Sequence, residues 1–212
     1  REHEFTIIRE IINVPSVEDR ILDDKPAIGY IKLNQFHAQS AQEMADSLNR
    51  LLKDERIEGL ILDLRGNGGG DFEASISIAD IFLDGQEVVS VVDAQNNETV
   101  HRASGGSVDI PLVVLVNGDS ASASEILAGA LQDNQRAILV GQKTYGKGLV
   151  QTIYPLRDGS ALKLTTQKYY TPDGTDINEI GITPDYIIEQ ADDAQTDLQL
   201  EKAIELVKKE IL

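Results

Sequence analysis

Three serines, one lysine and one glutamine give this sequence its most reactive stretch. Ser120, Ser122 and Ser124 alternate with alanine, and Lys147 follows between Gly146 and Gly148. A serine hydroxyl becomes a strong nucleophile when a base takes its proton, and lysine is such a base only when neutral. Neutrality calls for burial and for the absence of a carboxylate partner. Tyr145, Leu149 and Val150 beside Lys147 are compatible with such a shield. In an extended segment Lys147, Leu149 and Gln151 point to one face, so Gln151 could hold the amine in place without adding charge. An Asp or Glu there would keep the lysine protonated.

Blander uses compete for the same residues. Ser122 with Glu125 fits the S-x-x-E capping box, and locally a helix cap is the commoner role for such a serine. That role does not account for the whole run of small residues, which would let another chain's backbone approach closely. Lys147 also reads as a solvated loop lysine. Gly66–Gly70 follows an apolar strand and precedes a helix. It lacks both phosphate-binding glycine patterns, so a tight turn and a row of bare N–H groups lining an oxyanion hole remain as readings. His3, His37 and His101 lie far from Ser122 in sequence. His101 is expected to face solvent, and no G-x-S-x-G elbow supports a Ser-His-Asp triad.

The elements that must position these groups can be read from periodicity. Pro111–Val116 is a short apolar strand, Asn117–Asp119 a turn, and Ser122 opens a helix with Ile126, Leu127, Ala130 and Leu131 on its inner side. Ala137–Val140 is a second buried strand, leading into the Thr144–Gly148 loop. Upstream, Phe5–Val14 reads as one or two strands, Ala27–Leu33 as a strand, and Leu60–Leu64 as a strand. Ser40 with Glu43 forms a capping-box pattern for a helix that Gly59 stops. Val88–Val92 and Thr99–Ala103 suit a hairpin around Asn96-Asn97. Downstream come strands up to Leu156, at Ala161–Tyr170 and at Pro184–Glu189. A final helix follows, capped by Thr196 with Gln199.

Composition bounds the rest. The 212 residues are 41% hydrophobic, enough for one sizeable core. Nineteen Lys and Arg against 36 Asp and Glu leave a net charge of −17, which argues against nucleic-acid binding. With no cysteine, disulfides, thiolate catalysis and cysteine metal sites are excluded. No apolar run approaches the roughly 20 residues of a membrane helix, and no metal motif is present.

Ser120–Asp133 (SASASEILAGALQD), Thr144–Gln151 (TYGKGLVQ) and Leu62–Gly70 (LDLRGNGGG) resemble the carboxyl-terminal processing, or tail-specific, proteases of peptidase family S41. Gly29–Phe36, Tyr169–Asp185 and Leu198–Lys208 look like that family's leading strand, trailing segment and closing helix. The resemblance covers nearly the whole chain in family order and outweighs the local readings. It implies a serine endopeptidase cleaving proteins near their C-terminus, with Ser122 as nucleophile, Lys147 as general base and Gln151 in support. It implies an oxyanion hole made from the N–H of Gly68 or Gly69 and that of Ala123, and a structural role for Asp133.

The implied fold is α/β, a ClpP/crotonase-like spiral of β-β-α units. The protease core would span residues 27–212, with residues 1–26 as strands leaving a missing or deleted PDZ domain. No cofactor or metal is expected. The implied partner is a protein or peptide with an unstructured C-terminal tail, with an activating partner or a homo-oligomer left open. The implied location is extracytoplasmic: periplasm, cell surface or thylakoid lumen. Two rivals share the fold: a non-catalytic module binding a peptide or hydrophobic ligand, and a crotonase-like acyl-CoA enzyme using the glycine loop.

Overall fold

Strands whose side chains are apolar on both faces need cover on both faces, and this chain supplies it with helices. The computed structural model describes residues 5, 14–22, 26–54, 56–191, 194 and 196–211. In chain order the elements are β1 (Val17–Leu22), β2 (Ala27–Leu33), α1 (Ser40–Leu51), β3 (Ile57–Asp63), α2 (Phe72–Phe82), β4 (Glu87–Asp93), β5 (Glu98–Arg102), β6 (Leu112–Val116), α3 (Ala123–Asp133), β7 (Ile138–Gly141), β8 (Leu149–Pro155), β9 (Ala161–Tyr170), β10 (Tyr186–Ile187) and α4 (Leu198–Ile211).

Six strands form one sheet in the order β1-β2-β3-β6-β7-β10. From β2 to β10 neighbouring strands are parallel, and β1 runs antiparallel along β2. The period of two divides the side chains between two cores. Leu60, Leu62, Leu64, Val114 and Val116 join a core with Met44, Leu48, Ile78, Phe82, Ile126 and Leu131 of α1, α2 and α3. Ile61, Val113, Leu115 and Val140 face the other way, onto Ala203, Leu206 and Val207 of α4.

A second sheet, β5-β4-β9-β8, is antiparallel throughout. Its β4 is seated in the first core through Val88, Val89 and Val91. Its far edge, β8, and most of β9 are open to water. These layers and strand-helix repeats form the expected α/β fold. The six-stranded sheet runs across the boundary drawn between residues 26 and 27, because β1 is its edge. Most of Phe5–Val14, read as strands, lies outside the described residues.

Several local expectations change. The Ser40–Glu43 capping box does not form. Gln39 is the N-cap of α1, and Glu43 instead accepts the N–H and hydroxyl of Ser16 at 2.7 and 2.8 Å. Gly59 does not end a helix but lies inside β3. A Cβ there would sit 2.2 Å from Val207, so glycine lets α4 close onto the sheet. At α4 the Leu200 N–H is accepted by Asp197 at 3.0 Å, rather than the cap falling on Thr196. The last strand shortens from Pro184–Glu189 to Tyr186–Ile187.

Candidate active site

The turn between β6 and α3 decides which of the three serines can react. Ser120 and Ser124 are fully buried, and both hydroxyls donate to backbone carbonyls, of Leu64 and Asn67, each at 2.8 Å. Ser122 lies between them with φ 58 and ψ −114, a conformation few non-glycine residues adopt. Ser122 forms the capping box with Glu125 at the start of α3, and it also lines a cleft of about 440 Å³ with Asn34, Gln35, Gly68, Gly69, Gly70 and Lys147.

Ala123 is the first residue of α3, so its N–H has no carbonyl behind it in the helix. Among the described residues neither the Ala123 nor the Gly68 N–H donates a hydrogen bond. Gly69 differs, since its N–H is donated to Asn67 Oδ1 at 2.9 Å. The backbone of Gly69 has φ +94, and a Cβ would meet the Ala121 carbonyl at 2.6 Å and Ser122 at 2.9 Å. Glycine therefore serves there to let the loop touch the nucleophile turn, while Gly68 keeps the free N–H.

The loop carrying Lys147 is tied to the same turn by Glu125. This carboxylate is fully buried in the first turn of α3. It accepts the N–H of Ser122 at 2.8 Å, the Thr144 hydroxyl and Gly146 N–H at 2.6 Å each, and the Lys147 N–H at 2.9 Å. The Gly146 and Gly148 carbonyls accept from Glu179 and Tyr169 N–H, each at 2.8 Å. The backbone on both sides of Lys147 is thus fixed, yet the lysine side chain itself is exposed. Tyr145, expected to help shield it, is 69% exposed, and Leu149 and Val150 are only half-buried. Among the described residues no further strand pairs with the outer edge of β8, and the shield over Lys147 is incomplete.

The cleft gathers Ser122, Lys147, Gly68 and Gly69, with Ala123 directly after the serine. Gln151 is exposed on β8 and does not line the cleft. The β8–β9 ladder slips between Val150 and Gln151, so simple alternation from Lys147 does not carry through to its partners on β9. No hydrogen bond joins Ser122, Lys147 and Gln151 side chains among the described residues. Neither described histidine lines the cleft. His37 Nδ1 accepts the Gln39 N–H, and His101, half-buried, packs edge-on against Phe72 with ring centres 5.0 Å apart. Asp133 accepts the Asp173 N–H at 3.0 Å, a tie between α3 and the turn after β9.

Sequence reasoning treated Glu125 only as half of a helix cap and passed over Asn67. The S-x-x-E spacing was the available signal for the first. For the second there was only its place inside a glycine run. Arg65, also unremarked, clamps the base of that loop. Its guanidinium donates to Asp63 at 2.7 Å and to Asp197 at 2.8 and 2.9 Å, and Tyr30 donates to Asp63 at 2.7 Å. Burial disfavours charge on Asp197, but the Arg65 hydrogen bonds and the Leu200 N–H outweigh it and hold the carboxyl below the usual range.

The sequence profile of peptidase family S41 matches residues 27–188. A carboxyl-terminal-processing protease of Synechocystis is 47% identical over 190 residues, covering 88% of this chain and 44% of that protein. Carboxyl-terminal-processing peptidase 2, chloroplastic, of Arabidopsis thaliana is 40% identical, covering 86% of this chain and 37% of its own length. Among solved structures, a photosystem II D1 C-terminal processing protease superposes with a TM-score of 0.77 at 37% identity, covering 85% of this chain and 50% of the other. The chain therefore spans half or less of the length of these relatives.

Proposed function

The chain belongs to peptidase family S41, and on that footing we propose that it carries the catalytic core of a serine endopeptidase acting on protein C-terminal tails. Ser122 is the nucleophile, Lys147 the general base, and the Gly68 and Ala123 N–H groups form the oxyanion hole. The observation that supports this reading is the single cleft lined by Ser122, Lys147 and Gly68, whose N–H is undonated, with the undonated Ala123 N–H directly after the serine.

Neutral Lys147 takes the Ser122 proton as the oxygen attacks a peptide carbonyl. The carbonyl oxygen, now negative, receives the Gly68 and Ala123 N–H groups, each worth on the order of 3 kcal/mol in such sites. Lys147 returns the proton to the leaving amine, and water, deprotonated by Lys147, then hydrolyses the acyl ester and restores Ser122. Because Lys147 is open to water here, the bound peptide itself completes the shield that keeps the amine neutral. Gln151 supports Lys147 on the strength of the family resemblance alone. The substrate is a protein or peptide with an unstructured C-terminal tail, in an extracytoplasmic compartment. No described helix is long and apolar enough to cross a membrane.

Ser122→Ala and Lys147→Ala should each abolish digestion of an unstructured protein such as casein, with melting temperatures near that of the parent. A lysine base also predicts a rate that climbs toward alkaline pH. Full activity in both variants would end this reading, and a rate peaking near pH 6 would move the base to a histidine.

A further inference from the structure

Asn67 belongs to no role described so far, yet no other residue of the glycine loop is tied to as many elements. It is fully buried. Its side-chain Nδ2 donates to the Leu33 carbonyl at the end of β2, at 2.8 Å, and its Oδ1 accepts the Gly69 N–H at 2.9 Å. Its own N–H donates to the Leu64 carbonyl at 3.2 Å. Its carbonyl oxygen accepts the Ala121 N–H at 3.0 Å and the Ser124 hydroxyl at 2.8 Å, the neighbours on either side of Ser122 and its helix start.

The carbonyl of residue 67 and the N–H of residue 68 share one planar trans peptide and point in opposite directions. Two donors from the nucleophile turn hold that carbonyl inward. The Gly68 N–H therefore points away from those two donors, and Gly68 itself is exposed and lines the cleft. The side chain fixes what the carbonyl alone cannot. By taking the Gly69 N–H and anchoring on Leu33, it stops the glycine pair from rotating, which glycines otherwise do at little cost.

Resting on the Ser-Lys reading above, we propose that Asn67 is the positioning residue of the oxyanion hole. It aims the Gly68 N–H and locks it in register with Ser122. Asn67→Asp keeps an acceptor for Gly69 but loses the donor to Leu33. Asn67→Ser shortens the reach to both, and carries the test if the first variant does not fold.

The experiment measures three quantities on the 212-residue chain and each variant. They are turnover of an extended fluorogenic peptide, affinity for the matching peptide aldehyde (a reversible tetrahedral adduct of serine enzymes), and affinity for the product peptide. The expected result is a kcat at least about tenfold lower with KM little changed, since a donor used only in the transition state has been misaimed. Aldehyde affinity should fall by the same factor, product-peptide affinity should hold, and the shape of the pH profile should be unchanged. Unchanged kcat, or aldehyde and product binding weakened alike, would overturn the assignment to Asn67. A parent chain that neither cleaves nor binds the aldehyde would instead overturn the Ser-Lys reading, and this proposal with it.

Discussion

The nucleophile turn and the β8–β9 hairpin meet at one cleft but are built on opposite terms. Around Ser122 the polar groups are buried and paired: Ser120 with Leu64, Ser124 and Ala121 with Asn67, Glu125 with four donors. Along the hairpin, Ile153, Leu162 and Leu164 are 63%, 46% and 45% exposed, and one edge of β8 has no neighbouring strand among the described residues. Lys147 stands at the junction, its backbone held by the buried side and its amine projecting with the open side. On the Ser-Lys reading, the half that would stabilise charge is already hydrogen-bonded in place, and the half that would lose water stays open.

The contrast is most exposed to failure at Glu125, the joint between the two halves. In Glu125→Gln the amide NH₂ would face N–H and O–H donors, leaving at least one buried donor unpaired. Unfolding in denaturant should show a loss of about 2–4 kcal/mol. Cleavage should fall by about a hundredfold, as the Lys147 loop drifts from Ser122. A variant with parental stability and rate would show that the two halves are not joined there.

A smaller effect is expected from acid on the buried side. Because the Asp197 carboxyl is held below its ordinary value in the folded state, its tie to Arg65 adds stability above the ordinary carboxylate pKa. That contribution is lost as pH falls through the lowered folded value. Melting temperature should drop over that acid range, and Asp197→Asn should show a lower but flatter curve there. Identical curves would remove Arg65–Asp197 from the framework. The smallest effect belongs to the hairpin. Ile153→Thr should change stability by no more than about 0.5 kcal/mol, because its side chain has little burial to lose. A cost of several times that would mean the hairpin is as structural as the turn.

What the sequence made legible follows from which forces act locally. Ala27–Leu33 and Ala161–Tyr170 have the same limits as β2 and β9, and Asn96-Asn97 does turn the β4–β5 hairpin, with Asn96 at φ 62. Period and turn chemistry suffice for those. The residues lining the cleft were legible through the family resemblance, since locally Ser122 reads as a helix cap, Lys147 as a solvated lysine and the glycine run as a tight turn.

Hidden were choices made by distant partners. Ser40 and Glu43 spell a cap, but Ser16 competes for both side chains from 24 and 27 positions away. Gly59 looks like a stop signal because Val207, which requires it, lies in the last helix. The exposure of Lys147 could not be read either, since it depends on whether a layer covers β8, and its apolar neighbours are equally suited to a covered or a bare edge.

The guanidinium of Arg65 has one carboxylate two residues back and another 132 residues ahead. Synthesis delivers these in order, so the base of the glycine loop is complete only after residue 197 has been made. A nascent chain would already hold both the serine and the lysine, but the glycine loop would still be missing a clamp. The order of synthesis therefore places the last clamp on that loop after both the serine and the lysine.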